Sequence, residues 1–253
     1  MLDHISAPAP RMILRLLVVQ RLLASLKNRE AAPQSIAEIG PGLGDAMSLT
    51  LEHAEPNSVD LYEDSSVAQN ILNKRFGSNP AITVHSAFET KPKQYQLILC
   101  FEVIEHIDDD RSFITEIANS IDRDGWFIGS VPAYMSKWQD VDVLAGHFRR
   151  YEKQELIDKL KEQGFSNISI STYGFPLINL LYPLRKLYYS SLLRTSNVKD
   201  KREATAKSGV SRGLASRFHT PTVYFIVRFF SLFQSLPFFS SFGDGFVFKC
   251  QMK

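Results

Sequence analysis

The run "EVIEH" puts Glu102, Glu105 and His106 at i, i+3 and i+4 of any helix that starts there, and "GHFRRY" brings His147 later. Residues at that spacing share one helix face. Two carboxylates and an imidazole on a face, met by a second imidazole from a loop, make a candidate octahedral site for magnesium or manganese with positions open to substrate oxygens. An ion there would acidify a bound hydroxyl and fix its position. Without metal, the same residues supply catalytic candidates: His147 or His106 as general base, because imidazole titrates near neutrality, with Glu102 beside them. Arg149, Arg150 and Tyr151 follow His147 directly. They read equally well as an arginine fork for a phosphate or carboxylate on the substrate and as the entrance to a helix at "YEKQEL".

A second stretch has its own chemistry. "IAEIGPGLGDA" sets Gly40, Gly42 and Gly44 between Glu38 and Asp45. The dinucleotide fingerprint GxGxxG needs a glycine where Asp45 stands. A pyrophosphate there would face two nearby carboxylates, which is costly in a partly buried site. A cationic ligand fits better, and S-adenosylmethionine, with a sulfonium, an ammonium and no phosphate, fits better than NAD.

Positioning these groups requires a strand before the glycine turn and a helix after it. Apolar runs of strand length, "SIAEIG", "SVDLYE", "AITVHS", "QLILCF", "WFIGSV" and "SNISIST", alternate with helical patterns, "AMSLTLEHA", "SVAQNILNKRF", "RSFITEIANSI" and "KQELIDKLKEQG". That alternation predicts an α/β fold, a doubly wound, mostly parallel sheet covered by helices. Gly125 and Gly164 are expected as the residues just past helix ends. The stretch "MILRLLVVQRLLASL" is broken by Arg15 and Arg21 and carries Leu14, Leu17, Leu22 and Leu26 at helical spacing. It predicts an amphipathic N-terminal helix, not a signal peptide.

The glycine turn and its flanking acids resemble the first motif, ExGxGxG, of the class I S-adenosylmethionine-dependent methyltransferases. The resemblance runs from about residue 30 to 172 and returns at the end of the chain. It implies a seven-stranded Rossmann-like sheet whose last strand is antiparallel. Glu63 in "LYEDSS", 19 residues beyond Gly44, matches the acid that takes both ribose hydroxyls in this family, with Asp64 next to it. Ser86 and Ala87 in "VHSAFE" fall where the family contacts adenine, although the usual Asp is missing. "YQLILCFEVIEHIDD" resembles the fourth-strand motif of the ubiquinone-biosynthesis O-methyltransferases and adds Cys100 and Glu102 to the implied cofactor set. ExxEH followed by a distant His is similar to the metal constellation of small-RNA 2′-O-methyltransferases, and "EVIEH" also occurs in metal-free relatives.

The chain has 253 residues, 44% of them hydrophobic, enough for one large core with an elaboration. Cys100 and Cys250 sit in apolar runs, so neither a disulfide framework nor a zinc site is indicated and a reducing cytoplasm fits. Charge is uneven: residues 1–172 carry 17 Lys+Arg against 24 Asp+Glu, and residues 173–253 carry 12 against 3. The expected units are a cofactor-binding core over 1–172, a helical insertion over 173–244 and a last core strand over 245–253. The insertion has apolar ends, "YGFPLINLLYPLRKLYYSSLL" and "PTVYFIVRFFSLFQSLPFF", and a basic middle expected to be mobile. Pro183, Arg185 and Arg228 keep its ends short of a membrane span. A substrate lid, a homodimer interface and a peripheral membrane contact all remain open, with the lid favoured. Nucleic acid is not the expected partner, since the basic loop has no interleaved aromatics. The resulting expectation is methylation of a small molecule at a hydroxyl oxygen, on an apolar, envelope-type or secondary-metabolite acceptor. Its alternatives are C- or N-methylation of a natural product, or a module that binds the cofactor without transferring methyl.

Overall fold

The computed structural model describes residues 8–27, 32–195, 221–235 and 241–253. Seven strands form one sheet: β1 (Ser35–Ile39), β2 (Ser58–Tyr62), β3 (Ile82–His85), β4 (Tyr95–Phe101), β5 (Ile121–Pro132), β6 (Phe165–Tyr173) and β7 (Gly245–Met252). Their order is β3-β2-β1-β4-β5-β7-β6, with β7 antiparallel to both neighbours and the other pairings parallel. All seven expected strands are present.

A parallel strand covered on both faces must be apolar on both. β4 shows why that works: Leu97, Leu99 and Phe101 enter one core while Ile98 and Cys100 enter the other. The first core is closed by α1 (Pro10–Lys27), α2 (Asp45–Leu51) and α3 (Ser66–Phe76), through Leu14, Val18, Met47, Leu72 and Phe76. The second is closed by α4 (Asp110–Ser120) and α6 (Lys153–Glu162), through Ile114, Ile117, Leu156 and Leu160. α5 (Asp140–Ala145) lies between β5 and α6 in the chain. As expected, α1 is amphipathic: Ile13, Leu14, Val18, Val19, Leu23 and Leu26 are buried and Arg21 is exposed. The start of α3 is set by Ser65, whose hydroxyl accepts the Ala68 N–H at 3.4 Å.

One glycine differs from expectation. Gly164 follows α6 at φ +88°, the left-handed geometry of a helix end, but Gly125 lies inside β5. The reason is that α4 ends at Ser120 and β5 begins at once with Ile121, so no loop needs a terminating glycine. Asp124 takes the positive φ instead, at 63°.

The insertion begins after Tyr173, which belongs to β6. It holds α7 (Leu177–Leu180), α8 (Tyr182–Thr195) and α9 (Pro221–Ser231). α8 packs on α5 and α9 packs on α1. Buried Gln234 ties the end of this unit down, accepting the Gly174 N–H at 3.1 Å and donating to the Leu14 carbonyl at 3.0 Å. The outward faces stay apolar and exposed: Leu184 and Leu187 on α8 are 66% and 72% accessible, and Phe225 on α9 is 71%. Among the described residues no helix is long and apolar enough to cross a membrane. The basic middle, residues 196–220, lies outside the described residues.

The sheet centre tolerates no added volume at Gly129 of β5, where a Cβ would sit 2.4 Å from the Phe248 ring and 2.8 Å from the Cys100 carbonyl oxygen. Gly129→Ala is expected to lower stability by about 1–3 kcal/mol through overpacking, measured by denaturant unfolding against wild type.

Candidate active site

The glycine turn leaves the C-terminal edge of the sheet, where open α/β sheets bind ligands. Gly40, Gly42 and Gly44 have φ of +64°, +55° and +79°, a region that strains any residue with a Cβ. Space enforces the same choice: a Cβ on Gly40 would lie 2.4 Å from Val103 Cγ2. Glu38, two residues before the turn, is 2% exposed, and its Oε2 has no hydrogen-bond partner. Burial pushes its carboxyl up to about 8, against the opposing pull of Arg15. Glu63 directly follows β2 and clasps the turn. Its Oε2 accepts the Gly42 N–H at 2.9 Å and its Oε1 accepts the Ser65 N–H at 3.0 Å. Each oxygen keeps a lone pair for a further donor. Asp64 beside it is exposed, as are Ser86 and Ala87 beyond β3.

Cys100 requires a correction. Strand alternation turns its side chain into the second core, fully buried, so the thiol lies away from any ligand over the sheet. Burial also holds that thiol well above its ordinary range.

The expected helix across "EVIEH" is a single 3-10 turn, Ile104–His106, and Glu102 precedes it at φ +56°. The three residues therefore do not share a face. Glu102 Oε2 accepts from Arg11 Nη1 at 2.6 Å, and its Oε1 accepts from Ser130 Oγ at 2.9 Å and from the Tyr173 hydroxyl at 3.0 Å. Burial opposes its ionisation, but Arg11 and Arg15 outweigh it and bring the carboxyl down to about 2. Glu102 is thus a structural anion and drops out of the expected four-residue metal set. Glu105, His106 and His147 do converge, with ligand atoms within 4.8 Å of one another. Glu105 is completely buried with neither oxygen hydrogen-bonded. Burial and neighbouring Glu102 keep its carboxyl well above the ordinary range. His106 stands edge-on to His147, centroids 4.7 Å apart, and burial with His147 nearby lowers its imidazole to about 4.

His147 is oriented by a residue that the sequence did not single out. Its Nδ1 lies 2.9 Å from Asp142 Oδ1, and its Nε2 lies 3.9 Å from Glu105 Oε1. Burial works against charge on Asp142, yet the bonds from His147 and Arg150 hold its carboxyl below the usual range. An ionised carboxylate only accepts. The Nδ1 proton is therefore fixed toward Asp142, and in the neutral ring Nε2 carries the free lone pair. The same Asp142 takes Arg150 Nε at 2.9 and 3.0 Å, while Arg149 bonds the Asp108 carbonyl at 2.5 Å and Asp110 at 3.1 Å. A helix does begin just beyond the pair, α6 at Lys153, and both guanidiniums have protein partners, Arg150 buried at 3% and Arg149 partly exposed.

The turn and the His147–Asp142 pair open into one cavity of about 440 Å³. Its wall includes Gly40 to Leu43, Glu102, His106, Asp142 and His147 from the core. α1 adds Arg11 and Arg15, and the insertion adds Ile178, Leu181, Arg185 and Tyr189. A model of the family described as "Methyltransferase domain" matches residues 13–170. The chain belongs to that family.

Solved structures with the same fold include the carbon methyltransferase of CurJ, at TM-score 0.57 and 10% identity over 96% of this chain and 55% of that one. Another is phosphoethanolamine N-methyltransferase 2 of Haemonchus contortus in complex with S-adenosyl-L-methionine, at 0.56 and 12% over 94% and 52%. This chain spans about half the length of those two proteins. The N-methyltransferase NodS of Bradyrhizobium japonicum WM9, in complex with S-adenosyl-L-homocysteine, aligns at 0.54 and 16% over 68% and 86%. A search of the curated proteins gives no match. Within the methyltransferase domain, the sequence motifs located the turn and both histidines but missed Arg11, Asp142 and Asp244. Arg11 and Asp244 have partners far away in the chain, and Asp142 itself lies in a short helix without a motif.

The folded protein holds a proton on Glu38 up to about pH 8, whereas an unfolded carboxyl releases it near 4.5. Its contribution to stability is therefore full below 4.5 and lost as pH rises through about 8. Glu38→Gln is expected to flatten the stability profile across that window, as measured by denaturant unfolding at a series of pH values.

Proposed function

We propose that this protein is an S-adenosylmethionine-dependent methyltransferase of small molecules, acting on a hydroxyl oxygen. One observation carries the reading: the glycine turn and an Asp142-oriented imidazole share a single cavity. The residues suit this cofactor. Gly40 and Gly42 put bare backbone on the cavity wall, Glu38 offers an unpartnered buried carboxyl to an ammonium, and Glu63 keeps lone pairs for ribose hydroxyls. When bound, the cofactor supplies a methyl group made electrophilic by its sulfonium. The chain's own part is to align the acceptor, exclude water beneath α1 and α8, and take a proton. His147 does the last: its Nε2 receives the hydroxyl proton while Asp142 stabilises the imidazolium. His106, its imidazole lowered to about 4, is poorly suited to hold a proton near neutrality.

Oxygen is favoured over nitrogen because a hydroxyl needs such a base and an amine does not, whereas a carbon acid would use the same base. The neighbours named as carbon and nitrogen methyltransferases keep those two acceptors as the alternatives, and a binding module without turnover is the third. A second reading rests on the buried, unpartnered Glu105 oxygens: Glu105, His106 and His147 would hold a divalent cation that acidifies the acceptor in place of the base.

Calorimetric titration is expected to show binding of S-adenosylmethionine and none of NAD; the reverse result removes the assignment. His147→Ala is expected to lower kcat by about 10²–10⁴-fold, typical of a lost general base, with cofactor affinity unchanged. Turnover in EDTA separates the two readings, since full rate in chelator excludes the cation and a loss restored by manganese establishes it.

A further inference from the structure

Four guanidiniums line the cavity, and they are not equally occupied. Arg11 bridges Asp244 and Glu102 at 2.6 Å each, and Arg150 is held by Asp142. Arg15 lies over the Phe101 ring, 3.9 Å from Glu102, on the side of the cavity nearest Glu38 and the glycine turn. Arg185 is the one that comes from the insertion; its Nη1 is buried without a hydrogen-bond acceptor, as is Arg15 Nε on α1. Its nearest carboxylate, Asp244 at 3.7 Å, already accepts from Arg11 and has Arg150 at 3.5 Å. Three guanidiniums thus surround one carboxylate. A buried guanidinium N–H without an acceptor is costly, and an oxyanion is the partner its planar fork suits best.

The surroundings of Arg185 define the rest of the ligand. Tyr189 follows one helical turn later on the same wall, and Ile178 and Leu181 supply apolar surface beside it. α8 is anchored against α5 by a hydrogen bond from the Ser190 hydroxyl to Asp140, so Arg185 is presented by a supported helix, not by a loop. The charge on the wall is also in excess. Arg11, Arg15, Arg150 and Arg185 are met by Glu102, Asp142 and Asp244, while Asp45 is taken by Arg75 at 3.2 Å.

We propose that the methyl acceptor is a small molecule with an apolar body and an oxyanion, carboxylate or phosphate, and that Arg185 holds this anion while the reacting group faces His147. This rests on the methyltransferase reading and narrows its substrate class. Arg185 becomes a specificity-determining residue: it selects the acceptor and leaves the cofactor side to the core.

The test uses the full chain saturated with S-adenosylhomocysteine and three probes of one shape: benzoate, phenyl phosphate and neutral benzamide. Binding is measured by titration calorimetry or ligand-observed NMR. At least one anion is expected to bind about tenfold or more tighter than benzamide, the size of a charged hydrogen bond, and the tighter arm tells carboxylate from phosphate. Arg185→Ala should abolish that preference and Arg185→Lys should retain part of it, both with unchanged affinity for S-adenosylhomocysteine. If Arg185→Ala melts early or loses S-adenosylhomocysteine, Arg185→Gln takes its place in the comparison. Equal binding of benzamide and both anions, or an anion preference that survives loss of the guanidinium, overturns the proposal. Failure of wild type to bind S-adenosylhomocysteine overturns the methyltransferase reading instead, so the two failures are distinct.

Discussion

The cavity depends on how Glu102 is held. Four parts of the fold meet at this carboxylate: Arg11 of α1, Ser130 of β5, Tyr173 of β6 and the end of β4 that carries it. Its backbone sits at φ +56°, a conformation that costs about 1–3 kcal/mol and persists because its N–H is also bonded to the Ser130 carbonyl at 2.9 Å. That bend aims the carboxylate up at α1 instead of along the strand. Removing one partner from such a set strands the other charges in a buried place, so the set stands or falls together. Through Arg11 the same set reaches Asp244, at the entrance to β7, and so fixes α1 as a wall of the cavity.

The architecture was legible in the sequence because parallel strands buried on both faces must be continuous apolar runs, as "QLILCF" is. The glycine turn was legible for a related reason: three closely spaced glycines reflect three left-handed backbone positions. "EVIEH" was misread because the i, i+3, i+4 rule holds only if the helix starts at Glu102, and the strained bend there leaves Glu102 outside the 3-10 turn that carries Glu105 and His106. Cys100 was misread because strand parity decides where a side chain points, whatever motif surrounds it. Asp142 was missed entirely: in "DVDVLA" it is one acid among several, and only the folded chain brings it under His147 and Arg150. Ion pairs between distant residues leave no periodic trace.

The cavity joins two kinds of wall. One side is core, where strand ends and the glycine turn are locked by the sheet and by Glu63. The other is α8, tied down by α5 and turning Arg185 and Tyr189 inward beside Leu181 while Leu184 and Leu187 face out. The core wall is thus fixed by the sheet, while the other wall belongs to a helix that can vary without disturbing it.

The bridge between Arg11 and Asp244 spans 233 residues of chain. During synthesis the turn, both histidines and Asp142 emerge long before Asp244, and most of the sheet can pair in their presence. The β6 side of the sheet is nonetheless incomplete until β7 slides between β5 and β6, and only then does Asp244 meet the arginine that has waited near the start of the chain. Loop closure over so long a span makes this among the most entropically demanding contacts in the fold. The pocket is thus a checkpoint on the chain's own completion: a nascent or truncated chain can carry every glycine of the turn and still lack one wall of the cavity.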